Sequence, residues 1–265
     1  MPNVVGVMRN LLWILIDQRD LKYFLKLFLY NLGIWSYTIV KLPIVNNRVR
    51  VCFHPSWRSL EQCRFEFECI KYVVATIRPD DVVLDVGAWI GAYTLLFSIL
   101  VGKKGLVYSF EPDSKALIHL LENVRLNGLS NVYIERCALT NFIGKIRLTS
   151  HKLGNSRSSI LDYGRAGELK ERAFVEVTTI DRYCEENNLV PTGIKIDVEG
   201  AEGLVIEGAS KVLQKYHPWV LLEFHGFIPE KERNNNWQII KKHAKEIINL
   251  QGPNPYLVSH FLIKY

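Results

Sequence analysis

The chain has 265 residues, of which 48% are apolar and 23% charged. That composition supports one sizeable core with an extension and excludes a disordered or low-complexity protein. A net charge of +6 favours anionic partners without requiring them, since a solvated basic surface gives the same figure.

In chain order, the first 45 residues stand apart. Their opening apolar run is too short for a signal peptide and lacks a small-residue cleavage site. Residues 11–16 and 21–45 are nearly all apolar, and Gln18, Lys22 and Lys26 recur every fourth position as a narrow polar stripe on a helix. The longest uncharged run, residues 27–40, covers 14 positions. A membrane-spanning helix needs about 20. The expectation is an apolar helical extension that either caps the main domain or lies on a membrane surface. On this reading residues 1–55 hold the extension and a first strand, and residues 56–265 form the main domain.

Residues 48–53 (RVRVCF) alternate as a short strand, and residues 59–77 read as a helix ending before Pro79. A regular alternation follows. Strands are expected at 82–86, 105–110, 132–136, 194–198, 219–224 and 256–263. Helices are expected from about Gly91, at 114–127, 180–188, 202–215 and 235–245, and residues 145–149 and 174–178 form an inserted hairpin around a polar loop. The strands read as buried on both faces, so the fold class is α/β: a Rossmann-like parallel sheet with helices on both faces. The five cysteines (Cys52, Cys63, Cys69, Cys137 and Cys184) show no CxxC spacing and no local Cys/His cluster. A disulfide framework or a zinc site is therefore not expected, and a reducing, cytoplasmic compartment is.

The stretch LDVGAWIGAYT (residues 84–94) joins the first of these strands to a helix. In such sheets ligands bind at the carboxyl ends of the strands. Gly87 allows a tight turn and close approach of backbone to ligand, and Gly91 lets the helix start near the strand. Aligned on a dinucleotide loop, the positions read Gly87, Trp89 and Ala92. Tryptophan cannot easily replace the second glycine, where a pyrophosphate touches backbone. A cofactor without a diphosphate, such as S-adenosylmethionine (SAM), has no such need. Glu111, at the end of VYSFEP, lies 20 residues beyond Gly91, where a carboxylate can take both ribose hydroxyls of an adenosine. Glu111 as a helix cap and Asp85 as a turn carboxylate remain the plainer alternatives.

Four segments, VVLDVGAWIGAYT, VYSFEP, VEVTTIDRY and IKIDVEGAE, together resemble the FkbM-type SAM-dependent methyltransferases over about residues 67–226. The resemblance implies a seven-stranded class I methyltransferase sheet and methyl transfer to oxygen, commonly on sugars, glycolipids or polyketide hydroxyls. It also implies that Asp85, Gly87, Ala88, Gly91 and Glu111 hold SAM. The chain departs from the family pattern at Trp89, where asparagine is frequent, and at Asp80, where glycine is frequent. The Trp89 ring is expected to pack beside the methionine or adenosine part of SAM.

IKIDVEGAE puts Lys195, Asp197 and Glu199 on alternate positions of a central strand, where unpaired charges are costly. Asp197, near the strand's carboxyl end, is the candidate base or acceptor-orienting group, with an internal Lys195–Asp197 or Lys195–Glu199 pair as the structural alternative. LLEFHG adds Glu223 and His225, the latter either a general base or a turn histidine. Asp197 with Glu223 or His225 could hold magnesium in an oxygen-rich set of ligands, but no spacing demands it and no metal is expected. Asn155 and Ser158, in the loop GNSRSSI, suit a polyol acceptor. The expected reaction is SAM-dependent O-methylation of a sugar, glycolipid or related small molecule, with membrane contact through residues 1–45 as a possible aid. RNA ribose 2′-O-methylation is a rival, weakened because no aromatic-basic stacking segment is seen. A non-catalytic, membrane-attached binding protein of the same fold is the other.

Overall fold

Alternation of apolar strands with helices decides the architecture. The computed structural model describes residues 18–32, 36–42, 44–45, 47–52, 54–57, 66–150, 158–161, 171–225, 229–250 and 258–265. The expected apolar segment 11–16, the start of the helix expected at 59–77 and Asn155 lie outside these residues.

The chain divides into two units, Met1–Phe65 and Glu66–Tyr265. The first holds helix α1 (Gln18–Asn31) and the antiparallel pair β1 (Tyr37–Lys41) and β2 (Arg48–Cys52). The apolar extension is thus helical only in part. Thr38, Ile39 and Val40 are β-branched, which favours a pleated strand, and Val40 pairs with Val49. Val40, Val49 and Val51 are buried while Lys41, Arg48 and Arg50 are exposed, the two-residue alternation of a half-buried sheet. On α1, Phe24, Leu25 and Phe28 are each more than half exposed. No helix among the described residues is long and apolar enough to cross a membrane.

The second unit opens with α2 (Phe67–Thr76) and continues as β3 (Val82–Val86), α3 (Ala92–Val101), β4 (Leu106–Phe110), α4 (Ser114–Leu126) and β5 (Val132–Glu135). Then come β6 (Ala138–Leu139), β7 (Gly144–Ser150), β8 (Glu171–Thr178), α5 (Ile180–Glu186) and β9 (Gly193–Ile196). The unit ends with α6 (Glu202–Glu207), α7 (Ser210–Tyr216), β10 (Trp219–His225), α8 (Glu230–His243), β11 (Glu246–Asn249) and β12 (Val258–Lys264). Seven strands form the main sheet in the order β11-β12-β10-β9-β3-β4-β5, with β12 antiparallel to both neighbours. The expected seven-stranded α/β sheet is therefore present. The insert is a three-stranded sheet, β6-β8-β7, rather than a hairpin alone.

The central strands are buried on both faces. Val83, Leu84 and Val86 on β3, Ile194 and Ile196 on β9, and Val220 and Leu222 on β10 are all at most 1% exposed. Val205, Ile206 and Leu213 from α6 and α7 join the same core. Each such aliphatic side chain contributes about 1.5–3 kcal/mol of transfer free energy. The helix expected at 202–215 is two helices. The Asp181 carboxylate accepts the amide hydrogens of Lys211 (3.0 Å) and Val212 (2.9 Å), so a fresh helix starts there with its own cap. The strand expected at 194–198 stops at Ile196, which leaves Asp197 and Glu199 in the turn beyond it.

Candidate active site

Strand order reverses between β3 and β9. The chain winds outward through β4 and β5, then returns to place β9 on the other side of β3. In an open α/β sheet such a reversal leaves a crevice at the carboxyl ends of the strands. The expected site residues come from the loops that line it.

The loop after β3 is held by backbone. The amides of Gly87 and Ala88 both donate to the Phe110 carbonyl, at 3.0 and 3.1 Å, which ties the loop to the end of β4. The Asp197 amide donates to the Val86 carbonyl at 3.0 Å. Gly87 has φ of 80°, and a Cβ there would stand 1.8 Å from the Asp197 carbonyl oxygen. Gly91 has φ of 93°, and a Cβ there would stand 2.7 Å from Leu120. Both positions therefore need glycine. Trp89 is half-buried, and its φ of 48° is left-handed, a conformation that costs a non-glycine residue on the order of 1–2 kcal/mol. A hydrogen bond holds it there: its amide donates to Glu111 Oε2 at 2.7 Å. Ala88 is buried against Leu117 and Leu120 of α4.

Two buried acids flank this loop. Glu111 accepts the Trp89 amide on one oxygen and the Asp113 amide on the other, both at 2.7 Å. Burial pushes its carboxyl up to about 8 in spite of these two bonds. Asp85 is wholly buried in β3. Its Oδ2 accepts the Thr94 hydroxyl at 2.6 Å, while Oδ1 has no hydrogen-bond partner among the described residues and lies 3.7 Å from Lys195 Nζ. Burial raises this carboxyl as well, and Lys195 and Thr94 offset that only in part.

The ends of β9 and β10 are built differently. Lys195 Nζ donates to Asp197 Oδ2 and to the Gly87 carbonyl, each at 3.1 Å, and lies over the Tyr93 ring at 5.2 Å. Burial works against the ammonium, yet Asp197 and Asp85 outweigh it and raise its proton affinity. His225 Nδ1 meets Glu202 Oε1 at 2.9 Å. Its Nε2 faces Glu199 Oε2 and Glu223 Oε1 at 3.5 Å and Asp197 Oδ1 at 3.9 Å. Burial alone would make this ring give up its proton, but Glu202, Asp197 and Glu199 raise it to about 10, so it is an imidazolium at neutral pH. Burial likewise pushes the Asp197 carboxyl up, and here Lys195 and His225 win and hold it below the usual carboxylate range. Glu223 is pushed up to about 8 by burial and by the charge of Asp197. Within this group the Asp197 side chain is 24% exposed, against 14% for Glu199, 11% for Glu223, 3% for His225 and 0% for Glu202. Asp197 is thus the acid most open to an incoming molecule.

Asp85, Gly87, Ala88, Trp89, Gly91 and Glu111 accordingly surround one loop, and Lys195, Asp197, Glu199, Glu223 and His225 gather beside it. Ser158 is elsewhere. Its hydroxyl donates to Asp113 Oδ2 at 2.7 Å, next to Glu111 and the start of α4. Asn155 lies outside the described residues. Asp197, Glu223 and His225 each offer a ligand atom within 4.8 Å of the others, but a metal ion would bind there only after the His225 imidazolium gave up its proton. Sequence reasoning assigned no part to Thr94, Tyr93 or Glu202. All three lie within or beside the two quoted motifs, but their partners Asp85, Glu66 and His225 become visible only through tertiary contacts.

Comparison with known proteins follows the same lines. The family profile described as "Methyltransferase FkbM domain" matches residues 85–251. The hexuronic acid methyltransferase AglP of Haloferax volcanii is 28% identical over 185 residues, covering 66% of this chain and 69% of that protein. A putative rRNA-methylase from Clostridium thermocellum superposes with a TM-score of 0.50 at 13% identity, over 75% of this chain and 94% of that one, a likeness of fold. The FkbM methyltransferase structure from Methylobacillus flagellatus gives 0.46 at 19% identity, over 78% of this chain and 54% of that one. This chain thus spans about half the length of that structure.

Proposed function

The chain belongs to the FkbM methyltransferase family, and from that premise we propose that it transfers a methyl group from SAM to a hydroxyl of a sugar or glycolipid. The observation that carries this reading is the backbone contact between the Gly87 loop and Asp197, which puts a cofactor loop and an open carboxylate side by side.

The residues present fit SAM. Gly87 and Gly91 leave two positions of the loop without side chains, Asp85 Oδ1 is a buried acceptor with Lys195 3.7 Å away, and Glu111 stands at the tip of β4 with its oxygens held by the Trp89 and Asp113 amides. Asp85, Gly87, Ala88, Trp89, Gly91 and Glu111 would hold the cofactor, which supplies an electrophilic methyl group on a sulfonium when bound. Asp85, Asp197, Glu199 and Glu202, with Glu223 pushed up to about 8 beside them, outnumber the cations Lys195 and His225, so the surroundings favour a cationic centre.

Asp197 accepts the hydroxyl proton of the acceptor as the new carbon–oxygen bond forms. Lys195 holds one of its oxygens and His225 faces the other, so the carboxylate has a fixed aim. Because both ring nitrogens of His225 point at carboxylates, its part is to position Asp197 rather than to take the proton. Glu199 and Glu223 border the space next to Asp197.

A sugar acceptor is supported by the similarity to a hexuronic acid methyltransferase. The exposed Phe24, Leu25 and Phe28 of α1 support peripheral contact with a membrane, which would favour a lipid-linked glycan. Incubating lysate with methyl-labelled SAM and sorting the label among lipid, glycan, RNA and protein tests the acceptor class. Label is expected in glycan or glycolipid. Label in RNA would replace the sugar with a ribose 2′-hydroxyl, and an absence of SAM binding by calorimetry would point to a binding protein without catalysis.

A further inference from the structure

Beyond the methyl-transfer residues, a second group of donor atoms converges inside the domain. Glu66 precedes α2, Cys69 lies in its first turn, and His260 lies on β12, all within the Glu66–Tyr265 unit. Glu66 is 7%, Cys69 0% and His260 3% exposed. One oxygen of Glu66, Cys69 Sγ and one ring nitrogen of His260 all lie within 4.8 Å of one another. A fourth atom approaches from the methyl-transfer side. Glu223 Oε2 is 3.3 Å from His260 Nε2, and Glu66 Oε2 is 3.4 Å from the same nitrogen.

These contacts fall short of hydrogen-bond geometry, although Nε2 lies within ion-pair distance of both carboxyl groups. Neither ring nitrogen of His260 has a hydrogen-bond partner among the described residues, and Glu223 Oε2 has none. Buried polar groups left in that state are rare and call for an explanation. Four donors about a tetrahedral ion with bonds of roughly 2.1 Å would sit about 3.4 Å apart. The separation of 3.4 Å between His260 Nε2 and Glu66 Oε2 matches that edge length. Thiolate, imidazole and carboxylate are the ligand types zinc takes. The arrangement also has an outer partner: the Tyr93 hydroxyl donates to Glu66 Oε2 at 2.5 Å, which would orient that carboxylate.

We propose that Glu66, Cys69 and His260 form a structural zinc site, with Glu223 beside it. The three ligands come from the start of α2 and from β12, not from the loop after β3 or from Asp197, so the ion would not carry the methyl-transfer chemistry. It would tie the first helix of the domain to its last strand, next to Glu223, whose other oxygen faces His225. All three ligands lie outside the stretch that the family profile matches.

The test uses the whole chain. Protein purified without chelator is assayed for metal by plasma mass spectrometry, then stripped and titrated with Zn²⁺ and with Co²⁺. About one zinc per chain is expected, and the cobalt form should show a thiolate-to-cobalt charge-transfer band. Cys69→Ser should abolish that band, and Cys184→Ser should leave it intact. If Cys69→Ser fails to fold, X-ray absorption of the wild-type zinc form replaces it, with one sulfur and otherwise nitrogen and oxygen ligands expected. Wild-type protein that binds neither ion at micromolar concentrations, a band that survives Cys69→Ser, or an absorption spectrum without sulfur would overturn the proposal. The SAM-binding reading is left untouched by each of these results.

Discussion

At the ends of β3 and β4 the backbone does most of the holding, whereas at the ends of β9 and β10 side chains do. In the first region two glycines occupy left-handed conformations, Phe110 receives two loop amides, and both oxygens of Glu111 are engaged by amides at 2.7 Å. In the second, one imidazolium faces four carboxylates, three of them at 3.5–3.9 Å. A backbone cradle suits a ligand that never varies, such as a common cofactor. A cluster of charged side chains can be altered residue by residue, which suits an acceptor that differs among relatives.

That contrast predicts which changes matter most. Gly87→Ala should be the most damaging, because the new Cβ would collide with the Asp197 carbonyl in a left-handed backbone. A loss of about 4 kcal/mol in urea unfolding is expected, together with loss of SAM binding. A loss of only about 0.5 kcal/mol would mean that the two loops are not in contact. Glu202→Ala removes the buried partner of His225 and should cost about 3 kcal/mol, because a buried cation loses its closest carboxylate. If stability is unchanged, the side-chain region is less tightly coupled than its geometry indicates.

Glu111→Gln should have a milder effect on stability and a diagnostic one on pH. The folded Glu111 keeps its proton up to about 8, well above its ordinary range. Its contribution to stability is complete below the unfolded value and is lost as pH rises through about 8, because the unfolded chain has already released the proton. SAM binding should move the other way, tightening between about pH 7 and 9 as the carboxylate ionises to accept ribose hydroxyls. Glu111→Gln should flatten both profiles and weaken SAM by roughly tenfold, or about 1.4 kcal/mol. Calorimetric titration across that range checks it, and an unchanged profile in the variant would remove Glu111 from the cofactor site.

The same division explains what the sequence made legible. Apolar runs such as Val82–Val86 and the glycines of the following loop are local signals, so the sheet and the turn after β3 are legible directly. The side-chain region was readable only as a list. Lys195, Asp197, Glu223 and His225 stood out as charges at strand ends, but Glu202 gained its part only when α6 packed beside β10. Cys69 and His260 showed no spacing pattern because they come from opposite ends of the domain. The continuous hydrophobicity around residues 37–41 suggests a helix. Pairing with β2 and the β-branched content of β1 decided otherwise.

In the proposed reaction Asp197 serves the acceptor while the neighbouring loop serves the cofactor. Asp197→Asn separates the two, since the amide keeps the shape and removes the proton acceptor. SAM affinity by calorimetry should stay within about threefold of wild type while methyl transfer falls by roughly 10²–10⁴-fold. Turnover near the wild-type rate, or an equal loss of SAM binding, would contradict that division of labour.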